Sequence, residues 1–132
     1  MAEGPAWSAS ASDAMSYTDA GDLAAIRAFV RSRALALGLP PARTDLLLVA
    51  VSELATNTLQ YTIAGGWIRL WAEVDQLICD VVDQGPVRMF GRAMPAPDAI
   101  GGRGLALVER VCDDVTTSAG PEGTTVRLRL HL

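Results

Sequence analysis

The chain has 132 residues, half of them apolar, and carries 11 arginines, no lysine and 15 acidic residues. This length and composition predict a single domain that buries roughly two-thirds of its unfolded surface. The absence of lysine excludes a lysine nucleophile, a Schiff base and a Walker-type phosphate lysine, and the net charge of −4 argues against nucleic-acid binding through a basic face.

Neither a membrane span nor a secretion signal is visible in the sequence. No apolar run approaches the ~20 residues that a bilayer requires, so we expect a cytoplasmic protein without membrane contact. Cys79 and Cys112 lie far apart in apolar surroundings, and we expect them to be buried, reduced thiols. His131 is the only histidine, and its position near the C-terminus predicts the end of a strand rather than a catalytic group.

The N-terminal third predicts a tail followed by a helix. Residues 1–20 are rich in Ala, Ser and Gly without periodicity and are interpreted as a flexible tail, within which Ala14–Thr18 could form a short edge strand. From residue 22 to 37 apolar residues recur at helical spacing. Asp22 is the expected N-cap of this helix and Gly38 its stop.

A second helix and a hairpin follow. Residues 41–61 are apolar on nearly every side, through Leu46 and Val49 among others, which predicts a helix packed between layers. Residues 67–74 and 77–82 have strand character. Asp75 and Gln76 form a two-residue connection, so the two strands are expected to pair as an antiparallel hairpin.

The C-terminal half begins with a long loop. Residues 84–103 are rich in Gly, Pro and Ala, and a loop of this length is typically functional, often a lid. A helix over 104–111 and strands over 115–118 and 124–131 complete the chain. The elements predict an α+β two-layer sandwich at residues 21–132, with an antiparallel or mixed sheet covered on one face by about three helices.

Glu53 and Asn57 are the first candidate site residues. They lie four residues apart on the second helix and therefore share one face. Two polar side chains on an apolar helix are costly to bury unless they meet a ligand, a metal or water. An ordinary surface pair remains open at this point, because this spacing is common.

Asp83 follows an apolar strand and precedes Gly85, which allows a ligand to approach the backbone closely. Its carboxylate is placed to accept a hydrogen bond from the amino group of a planar base, an arrangement that selects adenine over guanine. Read singly, the same residues form a turn.

A glycine-rich string, GGRGL over residues 101–105, opens the third predicted helix. Free backbone amides and the helix dipole make such a start an anion site, and Arg103 can add charge to phosphate oxygens. The string GTT over residues 123–125, before the last strand, is the weakest of the four motifs.

Taken in order, the four motifs resemble the ATP-binding boxes of the GHKL (HATPase_c) fold, which gyrase and histidine kinases share. The strings AVSELATNTLQYT and GGRGLALVERV look most like the anti-sigma factor serine/threonine-protein kinases of the RsbW and SpoIIAB type, abundant in actinobacteria. The resemblance covers residues 22 to 131 and implies ATP and Mg²⁺ as cofactors.

The resemblance also implies roles for single residues. Glu53 would be the general base, Asn57 the magnesium ligand and Asp83 the partner of the adenine amino group. The remaining residues that the resemblance assigns to nucleotide binding are Gly85, Gly102, Arg103, Gly104, Leu105 and Thr125, the last of these on the floor of the base pocket.

The partners implied by the resemblance are a sigma factor and a STAS-domain anti-anti-sigma protein, whose serine or threonine the kinase phosphorylates. Relatives often form homodimers. One alternative is an ATP-binding partner-switch module without phosphotransfer. A second is a detached histidine-kinase catalytic domain, which would require a phospho-accepting histidine other than His131.

Overall fold

The computed structural model describes residues 14–61, 65–83, 108–120 and 123–132. They form an antiparallel five-stranded sheet with helices, and residues 108–111 are also helical. The elements are β1 (Ala14–Tyr17), α1 (Leu23–Leu37), α2 (Pro41–Tyr61), β2 (Gly66–Glu73), β3 (Gln76–Asp83), β4 (Asp114–Gly120) and β5 (Gly123–His131), with strand order β1-β2-β3-β5-β4. The predicted α+β fold, a sheet covered on one face by helices, is confirmed.

Helix α1 matches the predicted range. Its buried residues Ile26, Val30 and Ala34 follow one another at four-residue intervals, and the helix ends at Gly38, where φ is 108°. The left-handed backbone there favours glycine. Asp22 is the N-cap residue, as predicted, but its carboxylate makes no capping hydrogen bond to α1 and instead accepts from the backbone N–H groups of Thr18 and Asp19.

Helix α2 has the predicted bounds but a different environment. Its buried residues, among them Leu47, Val51 and Leu54, face the sheet and α1. Leu46 and Val49 are 48% and 43% exposed. The prediction of a helix packed between layers is therefore wrong, because in a two-layer fold one side of each helix faces solvent.

The β2–β3 hairpin is confirmed, with its turn one residue earlier than predicted. Glu73 pairs with Gln76, so the turn consists of Val74 and Asp75. Val74 has φ 48° and a side chain that is 96% exposed. A β-branched residue rarely adopts this backbone conformation, which is why the sequence pointed to the next pair.

Strand β1 confirms the short edge strand, since Ala14–Tyr17 pairs with β2. Tyr17 is 1% exposed and belongs to the hydrophobic core. The folded part of the chain thus includes residues 14–20, which the sequence analysis assigned to the tail. β1 also raises the strand number from the expected four to five.

The two faces of the sheet differ in chemistry. Toward the helices, β3 presents Leu77, Cys79 and Val81 to the core. On the opposite face the Asp80 carboxylate is fully buried between two arginines. Arg69 Nε lies 3.0 Å and Arg127 Nε 2.7 Å from its oxygens, so the only fully buried carboxylate among the described residues is neutralised by direct ion pairs.

The two guanidinium groups also contact aromatic rings on this face. Arg69 lies 5.5 Å from the centre of the Trp67 ring and Arg127 5.3 Å from that of Trp71. Cation–π contacts of this kind complete the cover over Asp80. The face opposite the helices is therefore closed by its own side chains around a structural ion pair.

Other expectations from the sequence are also met. Cys79 and Cys112 are free and buried, and burial raises the pKa of both thiols, that of Cys112 to about 12. β5 ends at His131. None of the described helices is both long and apolar enough to cross a membrane.

Candidate functional site

The C-terminal half of α2 contains the first two predicted site residues. Glu53 is exposed and Asn57 is partly buried, one helical turn further along. The next residue, Thr58, is 7% exposed, and its hydroxyl donates to the Leu54 carbonyl oxygen at 3.2 Å. The exposure of these side chains thus falls from Glu53 to Thr58, and Asn57 lies at the boundary between solvent and core.

Asp83 ends β3 and is 7% exposed. Its register places it between Gly66 of β2 and Thr124 of β5. Side chains alternate along a strand, so Asp83 shares the helix-facing side with Val81 and Cys79, opposite to Asp80. The carboxylate therefore points toward the layer that contains α2.

Thr124 is a candidate site residue that the sequence did not single out. It is 5% exposed and lies directly opposite Asp83, hence on the same face of the sheet. Thr125 pairs with Val82 and lies on the face away from the helices. The register therefore places Thr124, and not the predicted Thr125, on the sheet face of Asp83, since adjacent residues of a strand point to opposite faces.

The register also extends this arrangement to β1. Tyr17 pairs with Gly66, and Gly66 pairs with Asp83, so one cross-strand row contains Tyr17, Gly66, Asp83 and Thr124. We call this set the end row. The row cannot be predicted from local sequence patterns, because it depends on the pairing register of all four strands.

Tyr17 links the end row to α2. Its hydroxyl lies beside Thr58, and burial, with a smaller contribution from the negative charge of Asp83, raises its pKa to about 12. The phenol is therefore neutral at physiological pH and available as a hydrogen-bond donor. The buried polar groups at this end of the molecule thus come from α2, β1, β3 and β5.

Two glycines allow this close packing. A Cβ at Gly65 would lie 2.1 Å from the Tyr17 carbonyl oxygen, and one at Gly66 would lie 2.1 Å from that of Val82. Gly65 also has φ 72°. No larger residue fits at either position without moving the backbone, so the pair holds β1 against the start of β2.

Two of the predicted site residues have the chemistry that their predicted ligands need. The Asp83 carboxylate can accept hydrogen bonds from an amino group, and the Asn57 amide oxygen is a hard ligand of the kind Mg²⁺ prefers. Within the described ranges, no three His, Cys, Asp or Glu side chains converge to hold a metal ion. A magnesium ion here would thus take most of its ligands from nucleotide phosphates and water, and Asn57 fits that role.

Several predicted site residues lie outside the described ranges, together with the loop over 84–103. They are Gly85, Gly102, Arg103, Gly104 and Leu105. Their assignment to nucleotide binding stays a prediction.

A hollow lies at the end of the sheet away from the end row. It has a volume of about 240 Å³ and is lined by Glu109, Cys112, Asp113, Asp114 and Val115. Asp113 pairs with Arg43 at 3.1 Å and accepts from the His131 backbone at 2.7 Å. These contacts tie α2 to the ends of β4 and β5, and the hollow contains none of the predicted site residues.

Comparison with known proteins agrees with this geometry. A family model described as a histidine kinase-like ATPase domain matches residues 17–130. The chain therefore belongs to the histidine kinase-like ATPase family, the GHKL type of ATP-binding domain. The matched range starts at Tyr17 and so includes the first residue of the end row. A search of curated proteins found no match to the chain.

Proposed function

We propose that the chain is an anti-sigma factor serine/threonine-protein kinase, which sequesters a sigma factor and phosphorylates a STAS-domain anti-anti-sigma protein. One observation supports this above the others. The end row sets the buried Asp83 carboxylate beside the Thr124 hydroxyl on the sheet face that α2 covers, and α2 contains Glu53 and Asn57.

Asp83 would select the nucleobase. Its carboxylate accepts a hydrogen bond from the adenine amino group, whereas the carbonyl of guanine offers no proton at that position. The carboxylate is 7% exposed, so water compensates little for a missing partner. Adenine is therefore the expected base, and ATP the expected nucleotide.

Asn57 would hold Mg²⁺ through its amide oxygen. When bound, the ion neutralises charge on the phosphates of the nucleotide. The position of Asn57 at the boundary between solvent and core allows its side chain to reach a ligand without full burial. The metal would keep several water ligands, as is usual for magnesium.

Glu53 would act as the general base. It lies one turn before Asn57 and is exposed, so a hydroxyl on a protein substrate can reach it. Glu53 takes the proton of the serine hydroxyl as the serine oxygen forms a bond to the γ-phosphorus. The bond between this phosphorus and the β–γ bridging oxygen breaks, and ADP leaves.

Phosphorylation would then control the choice of partner. A phosphoserine adds about −1.5 to −2 charges, which weakens an interface that fits the neutral hydroxyl. The unphosphorylated antagonist displaces the sigma factor, and the phosphorylated one releases the kinase. This scheme places the protein in the cytoplasm, acting without direct contact with nucleic acid, as a monomer or a homodimer.

Incubation with γ-labelled ATP, Mg²⁺ and candidate STAS-domain proteins tests the proposal. We expect label on a serine or threonine of one STAS protein, and none with the Glu53→Ala variant. ATP binding without transfer to any STAS protein would favour a partner-switch module that binds but does not phosphorylate. Absence of ATP binding by the folded wild type would overturn both.

A further inference from the structure

The end row contains one position without a side chain. Tyr17 and Asp83 are separated by Gly66, so their Cα atoms lie two strand spacings apart, about 10 Å. A Cβ at Gly66 would lie 2.9 Å from the Tyr17 hydroxyl oxygen and 3.2 Å from ring carbon Cζ. The Tyr17 side chain therefore extends across Gly66 with its hydroxyl directed toward β3.

The Tyr17 hydroxyl has no hydrogen-bond partner among the described residues, although the residue is 1% exposed. The adjacent Thr58 hydroxyl donates its own proton to Leu54. A buried donor without an acceptor costs free energy, and phenylalanine would fill the same space without that cost. The contacts of the described residues therefore give no reason for a hydroxyl at this position.

We propose that Tyr17 is a positioning residue for Asp83, and that in the nucleotide complex its hydroxyl donates a hydrogen bond to the carboxylate oxygen that the base does not use. This rests on the proposed adenine contact of Asp83. A carboxylate has two oxygens and accepts several hydrogen bonds, so one oxygen can serve the amino group of the base while the other accepts from Tyr17.

The geometry favours Asp83 over the other neighbours of the hydroxyl. Thr58 lies beside the same hydroxyl, but the two groups form no hydrogen bond with each other, and Gly66 offers no side-chain acceptor. The Asp83 carboxylate is the charged acceptor in the end row, and its negative charge contributes to the raised pKa of Tyr17. A bond between a neutral phenol and a carboxylate is charge-assisted and fixes the carboxylate orientation.

A thermodynamic cycle between the Tyr17 hydroxyl and the amino group of the base tests this role. Wild type and Tyr17→Phe are titrated with ATP and with purine riboside triphosphate, which lacks the 6-amino group. We expect Tyr17→Phe to bind ATP about tenfold more weakly but the amino-free analogue less than twofold more weakly. The two effects are coupled because the orientation of the Asp83 carboxylate changes the affinity only when the base has an amino group that donates to it.

Controls separate positioning from folding. Tyr17→Phe should unfold at an unchanged or higher temperature, since it removes an unpaired buried hydroxyl. Thr44→Val is the matched control, because Thr44 is fully buried on the same helix as Thr58 and donates to the Pro40 carbonyl oxygen at 3.0 Å. This variant should bind both nucleotides as the wild type does.

Two results would overturn the role of Tyr17 while leaving the proposed function intact. One is an equal loss of affinity for both nucleotides in Tyr17→Phe, which would show a purely structural effect. The other is no loss for either nucleotide. If the folded wild type binds the two nucleotides equally, the Asp83 contact itself fails, and the proposed adenine recognition fails with it.

Discussion

Asp83 and Thr124 are direct cross-strand partners at the end of the β3–β5 pair, and both side chains are nearly inaccessible to solvent. The pair joins a carboxylate and a hydroxyl on the face of the sheet that the helices cover. Buried polar groups of this kind require hydrogen-bond partners, because burial removes them from water.

The position of Thr124 leads to the first prediction. Thr124→Val should weaken ATP binding about fivefold, since it removes a buried hydroxyl beside Asp83. Thr125→Val is the matched control on the opposite face and should leave the affinity unchanged. Isothermal titration calorimetry measures both variants. A larger loss of affinity in Thr125→Val would instead support the role predicted for Thr125.

Asp83→Asn should weaken ATP binding by tenfold or more, because an amide accepts less strongly than a carboxylate and presents a donor of its own. Asp80→Asn changes the same chemical group on the other face of β3, where it contacts Arg69 and Arg127. That control should lower the unfolding temperature while preserving ATP affinity. Equal affinities of wild type and Asp83→Asn would remove the adenine contact.

Glu53→Ala should retain ATP binding and reduce phosphotransfer by ~10²–10⁴-fold, the usual effect of losing a general base. The side chain is exposed, so the variant should keep its stability within about 0.5 kcal/mol. Labelled-phosphate transfer and thermal unfolding, measured in parallel, check the two expectations. Unchanged turnover would reject Glu53 as the base.

Asn57→Ala should abolish the magnesium dependence of ATP binding, because the variant loses the amide oxygen assigned to the metal. Affinity is measured with and without Mg²⁺ in wild type and variant. We expect a large difference between the two conditions in the wild type and little difference in Asn57→Ala. A metal requirement that survives the substitution would contradict this assignment.

The free energy of unfolding should fall as pH rises above about 9. Burial raises the pKa of Cys112 from 9.0 to about 12 and that of Tyr17 from 10.0 to about 12, and also raises the pKa of Cys79. The unfolded chain then releases protons at a pH where the folded chain still retains them, so alkali favours unfolding.

Chemical unfolding between pH 7 and 11 measures this effect, and thiol labelling at pH 8 supports it. Both cysteines should react slowly in the native protein and rapidly in denaturant. Tyr17→Phe should show a shallower decline above pH 10. A free energy of unfolding that stays constant up to pH 11 would show that these groups titrate normally in the folded state.

Local patterns were sufficient to predict most of the elements and to place Glu53, Asn57 and Asp83 on them. The spacing of Ile26, Val30 and Ala34 located α1, and the four-residue interval between Glu53 and Asn57 placed both on one helix. Asp83 was recognised from its place at the end of an apolar strand. These features depend on residues close together in the chain.

The features that were missed depend on pairing between distant segments. Thr124 and Thr125 cannot be distinguished without the register of β5 against β3, since both belong to one short polar string. Tyr17 enters the site only because β1 pairs with β2 at Gly66. The solvent-facing side of α2 was missed because leucine and valine surround the helix, and only the tertiary fold decides which of them are covered.

The two aspartates of β3 restrict that strand to one pairing register. Asp80 and Asp83 are three positions apart and therefore emerge on opposite faces, one between arginines and the other beneath the helices. A shift of β3 by one residue against its neighbours would turn the Asp80 carboxylate into the apolar layer under the helices. The same shift would turn Asp83 to the opposite face, away from the proposed nucleotide site. Insertions in the Val74–Asp75 turn should consequently be tolerated only where they leave the pairing of β2 with β3 unchanged, a constraint that any redesign of the hairpin inherits.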